Sequence, residues 1–143
     1  MTQDSIAIRP STPSDVDMIH EFLQPFSAGQ LILPRTIEEL RVLVQHGFVA
    51  EDRGAIVGFA AVEIYSRKMA EVQSLAVDVR YQRRGIGRQL VRRCVQRVRE
   101  QGILELMAIT VSDRLFQDCG FDYSLPNQKR ALFWHTESKD VDA

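Results

Sequence analysis

Apolar positions along this chain change their spacing several times, and each change marks a new element. Residues 5–10, SIAIRP, alternate and predict a first strand. From Thr12 the interval becomes helical: Val16, Ile19, Phe22, Leu23 and Phe26 share one face, with Thr12 as N-cap, Pro13 in the first turn and Asp15 three residues after the cap. SAGQLILP interrupts this helix. TIEELRVLVQHG starts a second with a capping box from Thr36 to Glu39, and Gly47 stops it. Residues 48–66 read as two strands joined through Asp52-Arg53-Gly54, a hairpin signal. After a turn at Arg67-Lys68, MAEVQSLAVDV is a third long strand, so sequential strands form an antiparallel meander.

A helix follows the turn Gly85-Ile86-Gly87 and runs to about Gln101. Gly87, Leu90, Val91, Cys94, Val95 and Val98 line one side, arginines line the other, and Gly102 ends it. ILELMAIT (103–110) predicts a strand, SDRLFQDCG (112–120) a short helix closed by Gly120, and FDYS and ALFWHT the last strands. The polar tail 137–143 is expected to be mobile. With no internal repeat and no linker, the 143 residues read as one domain, 1–143, large enough for a sizeable core.

Composition narrows the class. No run approaches the ~18 apolar residues of a membrane span. The first ten residues have neither a basic start nor a long apolar stretch, so the expectation is a cytoplasmic protein without an export signal. Cys94 and Cys119 lack metal or redox spacing, and Cys94 falls on the apolar side of its helix as a buried thiol. His20, His46 and His135 form no HExxH-like pair, so no metal is expected.

Charge is uneven. Residues 80–99 hold eight of the chain's 18 basic residues and no acid, leaving ten basic against 19 acidic residues elsewhere. Such asymmetry suggests an anionic partner for that element. A glycine turn between strand and helix aims unpaired amides at an anion, and the helix dipole adds about half a positive charge there. Gly85 and Gly87 admit close approach, and Arg83, Arg84 and Arg88 add attraction. A P-loop would need GxxxxGK[ST], and a dinucleotide fold would need a third glycine where Leu90 stands. On this evidence alone, a tight turn beside a solvated arginine face remains an alternative.

Gln82-Arg83-Arg84-Gly85-Ile86-Gly87 fits the [QR]-x-x-G-x-[GA] signature of the GNAT acetyltransferases, and SLAVDVRYQ and LFQDCGF resemble that family's fourth strand and fourth helix in order. The resemblance runs from Ile6 to about Trp134. It implies an α/β (α+β, three-layer) acyl-CoA N-acyltransferase fold with a mixed, mostly antiparallel sheet of six to seven strands and about four helices. A closer likeness, carried by GQLILPRTIEEL, AEVQSLAV, LFQDCGF and LPNQKRALFWHTESK, is to the acetyltransferase domain of N-acetylglutamate synthases. Those enzymes often carry an amino-acid-kinase-like domain. This chain has no room for one, so arginine feedback housed there is not expected.

The resemblance implies acetyl-CoA as co-substrate, a small-molecule amine as acceptor, no metal, and direct attack of the amine on the thioester. Glu71 would hold the position of the family's glutamate base, with Gln73 on the same strand face holding a water. Main-chain groups of Leu75, Ala76 and Val77 would hold pantetheine and acetyl, and residues 82–88 (Gln82, Arg83, Arg84, Gly85, Ile86, Gly87, Arg88) the pyrophosphate. Phe116 stands where the family often has a tyrosine acid and is expected either beside the pantetheine or as a core residue, leaving the thiol to depart unassisted or through water. Arg35, and Lys129 or Arg130, would bind an acceptor carboxylate such as that of glutamate. The competing readings are a protein or peptide N-acetyltransferase, a non-catalytic CoA-binding module and a nucleic-acid binder. The acidic remainder and the absence of interleaved aromatics argue against the last. A homodimer stays open.

Overall fold

The computed structural model describes residues 5–123 and 132–136. Five strands form one mixed sheet in sequence order: β1 Ile6–Pro10, β2 Gly47–Asp52, β3 Ala55–Ile64, β4 Met69–Val77 and β5 Glu105–Met107. The first four are antiparallel and β5 lies parallel to β4. The β2–β3 hairpin closes as expected, with Arg53 and Gly54 both in the left-handed region that matches strand twist.

Among the described residues four helices cover the sheet: α1 Val16–Ala28, α2 Ile37–Leu43, α3 Ile86–Glu100 and α4 Asp113–Asp118. The Thr36–Glu39 capping box opens α2, each residue's side chain accepting the other's backbone N–H. The predicted apolar face of α1 packs with Leu40, Leu43 and Val44 against Phe59, Ala61 and Ala76 on one side of the sheet. Leu90, Val91, Cys94 and Val98 of α3 pack with Phe116 of α4 against Val57, Ala60, Val62, Ala70 and Val72 on the other. Strand β3, buried from Ile56 to Val62, lies between both layers. At Gly58 an added Cβ would lie 3.1 Å from Ala50, 3.2 Å from Leu90 and 3.4 Å from Ile86, so α3 rests against bare backbone there.

Five strands, against six to seven expected, make up the sheet among the described residues. FDYS contributes no strand in its described part, 121–123, and neither does 132–136 of ALFWHT; the remainder of both segments, and the tail 137–143, lie outside the described residues. ILELMAIT forms only three strand residues because its ladder with β4 ends at Glu71↔Met107, where the strands part. Among the described residues no helix is long and apolar enough to cross a membrane, and no cluster of His, Cys, Asp and Glu could hold a metal. Cys94 is fully buried, which pushes its thiol up to about 12.

An ion-pair cluster ties β1 to the start of α1 and to β2. The Arg9 guanidinium donates to both oxygens of Asp15 at 2.9 Å and to Glu51 at 2.8 Å, and Asp15 also accepts the Thr12 amide at 2.7 Å. The Arg9 bonds hold the Asp15 carboxyl at about 2. A depressed acid stabilises the fold above its unfolded pKa and loses that contribution as pH falls through the folded value. Asp15→Asn should therefore lower unfolding free energy by about 1–2 kcal/mol near neutral pH, discounted because Arg9 is partly solvated. Denaturant titrations should show this difference closing as pH falls from about 4 to 2.

Candidate active site

Ser74 organises β4. It is buried, has a φ of +57°, and sits where Phe59↔Ala76 and Ala61↔Gln73 leave two β4 residues opposite Ala60 alone, a β-bulge. Side chains change face there. Ala70 and Val72 before the bulge share the α3 side with Leu75 and Val77 after it, whereas Ala76 packs on the α1–α2 side. Glu71 and Gln73 alternate with Ala70 and Val72 and so point to the α1–α2 side. Beyond Glu71, β4 has no strand on its β5 side among the described residues, leaving an edge of free main-chain groups.

That edge borders a cavity of about 520 Å³ lined by Leu75, Ala76, Val77, the turn residues 81–83 and 85–88, and Ser112 and Leu115 at the start of α4. The amides of residues 83–88 find no acceptor among the described residues, since the first helical bond is Gln89 N–H to Gly85 O. Arg83 at φ +66° and Gly85 at φ +81° curl the turn so that these amides precede the helix. A Cβ at Gly85 would meet nothing within 4 Å. At Gly87 it would meet only Leu115 and Val77 side chains, at 3.6 Å and beyond, so packing alone does not demand glycine there.

Neighbouring groups hold the turn. The Tyr81 hydroxyl donates to Asp52 at 2.6 Å, and that bond raises its pKa. The Arg84 guanidinium lies 5.0 Å over the Tyr81 ring, and Gln82 donates to the Val77 carbonyl at 3.0 Å. Not every arginine in the basic run faces the cavity. Arg93 donates to Ile8 O, Arg97 to Gln45 O, Arg80 pairs with Asp78 and Arg88 with Asp118, so much of the charge fastens elements together. Arg83 lines the cavity and makes no ion pair among the described residues.

A second polar group occupies the other face of β4. Arg35 donates to Gln73 Oε1 at 2.8 Å, Gln73 Nε2 donates to the Tyr65 hydroxyl at 3.3 Å, and Tyr65 donates to Glu71 Oε1 at 2.6 Å. Glu63 stands directly across from Glu71 on β3. Burial first, and then the bond to Glu71, push the Tyr65 phenol up to about 12. Three sequence candidates, Arg35, Glu71 and Gln73, are thus brought together by a residue that sequence reasoning missed. A residue just past the end of β3, diagonal to Glu71, is visible only once the register is known.

The outcome differs for Phe116 and Lys129. Phe116 does not reach the cavity: it is 5% exposed, its ring meeting Phe121 edge-on at 5.1 Å within the core, and its neighbour Leu115 takes the lining position instead. Lys129 and Arg130 lie outside the described residues. Tyr81, Ser112 and Leu115 also line the cavity without having been singled out.

The sequence profile of the Acetyltransferase (GNAT) family matches residues 16–121, and the chain belongs to that family of N-acetyltransferases. An uncharacterized N-acetyltransferase of Chlorobaculum tepidum is 28% identical over 114 residues, 80% of this chain and 74% of that protein. The amino-acid acetyltransferase of Aeromonas salmonicida is 28% identical over 138 residues, 92% of this chain but 31% of that protein, so the chain spans under a third of that relative. Among solved structures, a Mycobacterium tuberculosis protein in complex with CoA superposes with TM-score 0.73 at 27% identity, over 80% of this chain and 70% of that one. N-acetylglutamate synthase of Neisseria gonorrhoeae, complexed with coenzyme A and N-acetyl-glutamate, gives TM-score 0.71 at 24% identity over 80% and 27%, a likeness of fold.

A raised phenol is favoured in the folded state and loses that preference as pH climbs from its unfolded value through about 12. Spectrophotometric titration should show the phenol with the highest pKa disappearing in Tyr65→Phe.

Proposed function

We propose that this enzyme transfers the acetyl group of acetyl-CoA to the amine of a small amino acid carrying a further carboxylate, of which glutamate is the prime candidate. The observation that carries the reading is the row of unpaired amides from residue 83 to 88 beside the free edge of β4. A coenzyme diphosphate fits there: donors converge, the Gly85 position is open, and Arg83 has no ion-pair partner among the described residues. When bound, acetyl-CoA supplies an acyl group activated as a thioester. In this reading residues 82–88 hold its phosphates. The main-chain groups of Leu75, Ala76 and Val77 hold the extended arm as a neighbouring strand would and donate toward the acyl oxygen.

Glu71 takes a proton from the acceptor. A lysine-like amine is neutral in only about one molecule in a few thousand near pH 7, so proton removal must precede attack. Nitrogen then bonds to the acyl carbon as the carbon–sulfur bond breaks, gives up its second proton to water to become the amide, and the departing thiolate gains a proton from solvent. Glu71 lies four residues before Leu75, roughly 13 Å along an extended strand, so the proton travels through a chain of waters rather than directly. Arg35, whose buried Nε has no partner among the described residues, receives the acceptor carboxylate. The names of the amino-acid acetyltransferase relatives support this choice.

Two measurements test the reading. Gly87→Glu places a carboxylate in the first turn of α3, where the dipole favours it and only side chains are near. The melting temperature should therefore stay within a few degrees while CoA affinity by calorimetry falls about a hundredfold or more; unchanged affinity would refute the phosphate site. Thiol release from acetyl-CoA should appear with a dicarboxylic amino acid in a panel, and Glu71→Gln should reduce it about 10²-fold. Turnover with peptides alone would favour a protein acetyltransferase, and CoA binding without turnover on any amine a non-catalytic module.

A further inference from the structure

The chain of hydrogen bonds from Arg35 to Glu71 has a direction. A guanidinium only donates, so the Gln73 oxygen must face Arg35, which turns the Gln73 amide nitrogen toward Tyr65. The Tyr65 oxygen then accepts from Gln73, and its own hydrogen is left for Glu71 Oε1. Every hydrogen in the series points toward the carboxylate, an arrangement in which successive bonds polarise one another.

We propose that Tyr65 is a positioning residue for Glu71, and that Gln73 and Tyr65 tie the carboxylate to the guanidinium that receives the acceptor. The proposal rests on the reading in which Glu71 removes the acceptor's proton. Two observations carry it further than a surface contact. Glu63 faces Glu71 directly across the β3–β4 ladder, and like charges so placed repel, so an untethered Glu71 swings away from a fixed pose. The Tyr65 hydroxyl at 2.6 Å opposes that movement while Glu71 Oε2 keeps no hydrogen-bond partner among the described residues and stays open to a proton. Tyr65 itself is 52% exposed, so packing gives little reason for its ring, and none for its hydroxyl. A carboxylate seated on Arg35 competes with Gln73 for the guanidinium. Acceptor recognition therefore bears on the alignment of Glu71 through one amide.

The test is steady-state kinetics on the full chain with acetyl-CoA and the best acceptor from the amino-acid panel. Tyr65→Phe should fold with a melting temperature within a few degrees of the parent, lower kcat about tenfold and leave the acceptor KM within about twofold. In the Glu71→Gln background the same substitution should cost nothing further, because the hydroxyl acts only through that carboxylate. Gln73→Leu, which breaks the series from its other end, should lower kcat and raise the acceptor KM together. If Tyr65→Phe leaves kcat unchanged, or lowers it equally in both backgrounds, the positioning role is overturned while the proposed base survives. If Glu71→Gln itself leaves the rate intact, the base assignment falls and this role falls with it.

Discussion

The bulge at Ser74 is the constraint on which the rest of the site depends. One extra residue in β4 inverts the side-chain alternation, so odd-numbered positions serve opposite layers before and after it. Glu71 and Gln73 face the α1–α2 side, where Arg35 arrives from the loop between those helices. Leu75 and Val77 turn toward α3 and the glycine turn. In a regular strand all four would share a face, and the cavity beside the glycine turn and the Arg35–Gln73–Tyr65–Glu71 group would compete for one surface. The left-handed backbone of a non-glycine residue costs about 1–3 kcal/mol and persists only because the ladder with β3 and both packed layers hold it.

The basic run shows how one set of residues divides between architecture and site. Arg93 and Arg97 cap main-chain carbonyls of β1 and of the turn before β2, and Arg97 also lies over the Phe48 ring. These fasten α3 across the sheet. Arg80 and Arg88 are neutralised by nearby aspartates. What remains directed at the cavity is chiefly Arg83 together with a row of amides, so main-chain dipoles rather than the bulk of the arginine charge give the turn its character.

Much of this was legible in the sequence, for local reasons. The Thr36–Glu39 box, the Arg53-Gly54 turn and the apolar face of α3 are written in residues close together along the chain, and each formed as expected. The glycine turn was equally plain, because strand, turn and helix follow within a few residues. The misses have a different origin. No glycine or proline announces the bulge at Ser74, where the ladder imposes the strained backbone. The short β5 reflects where two strands diverge, a property of neither alone. For Phe116 analogy with a tyrosine position left the pantetheine side and the core both open, and Phe121 and the α3 layer draw it into the core. Tyr65 entered only through the β3–β4 register, since six residues and a turn separate it from Glu71.

Gly58 ties these levels together from a distance. It lies in the middle strand, away from any cavity lining, but the groups that would meet a side chain there include Ile86, the first residue of α3. The spacing between helix and sheet is thus set by a missing methyl group beneath the helix start. Any larger residue at this position would press on the Ala50 and Leu90 side chains, which would have to give by a few tenths of an ångström, and would touch Ile86. A residue outside the cavity lining thus works as a shim between the sheet and the first turns of α3.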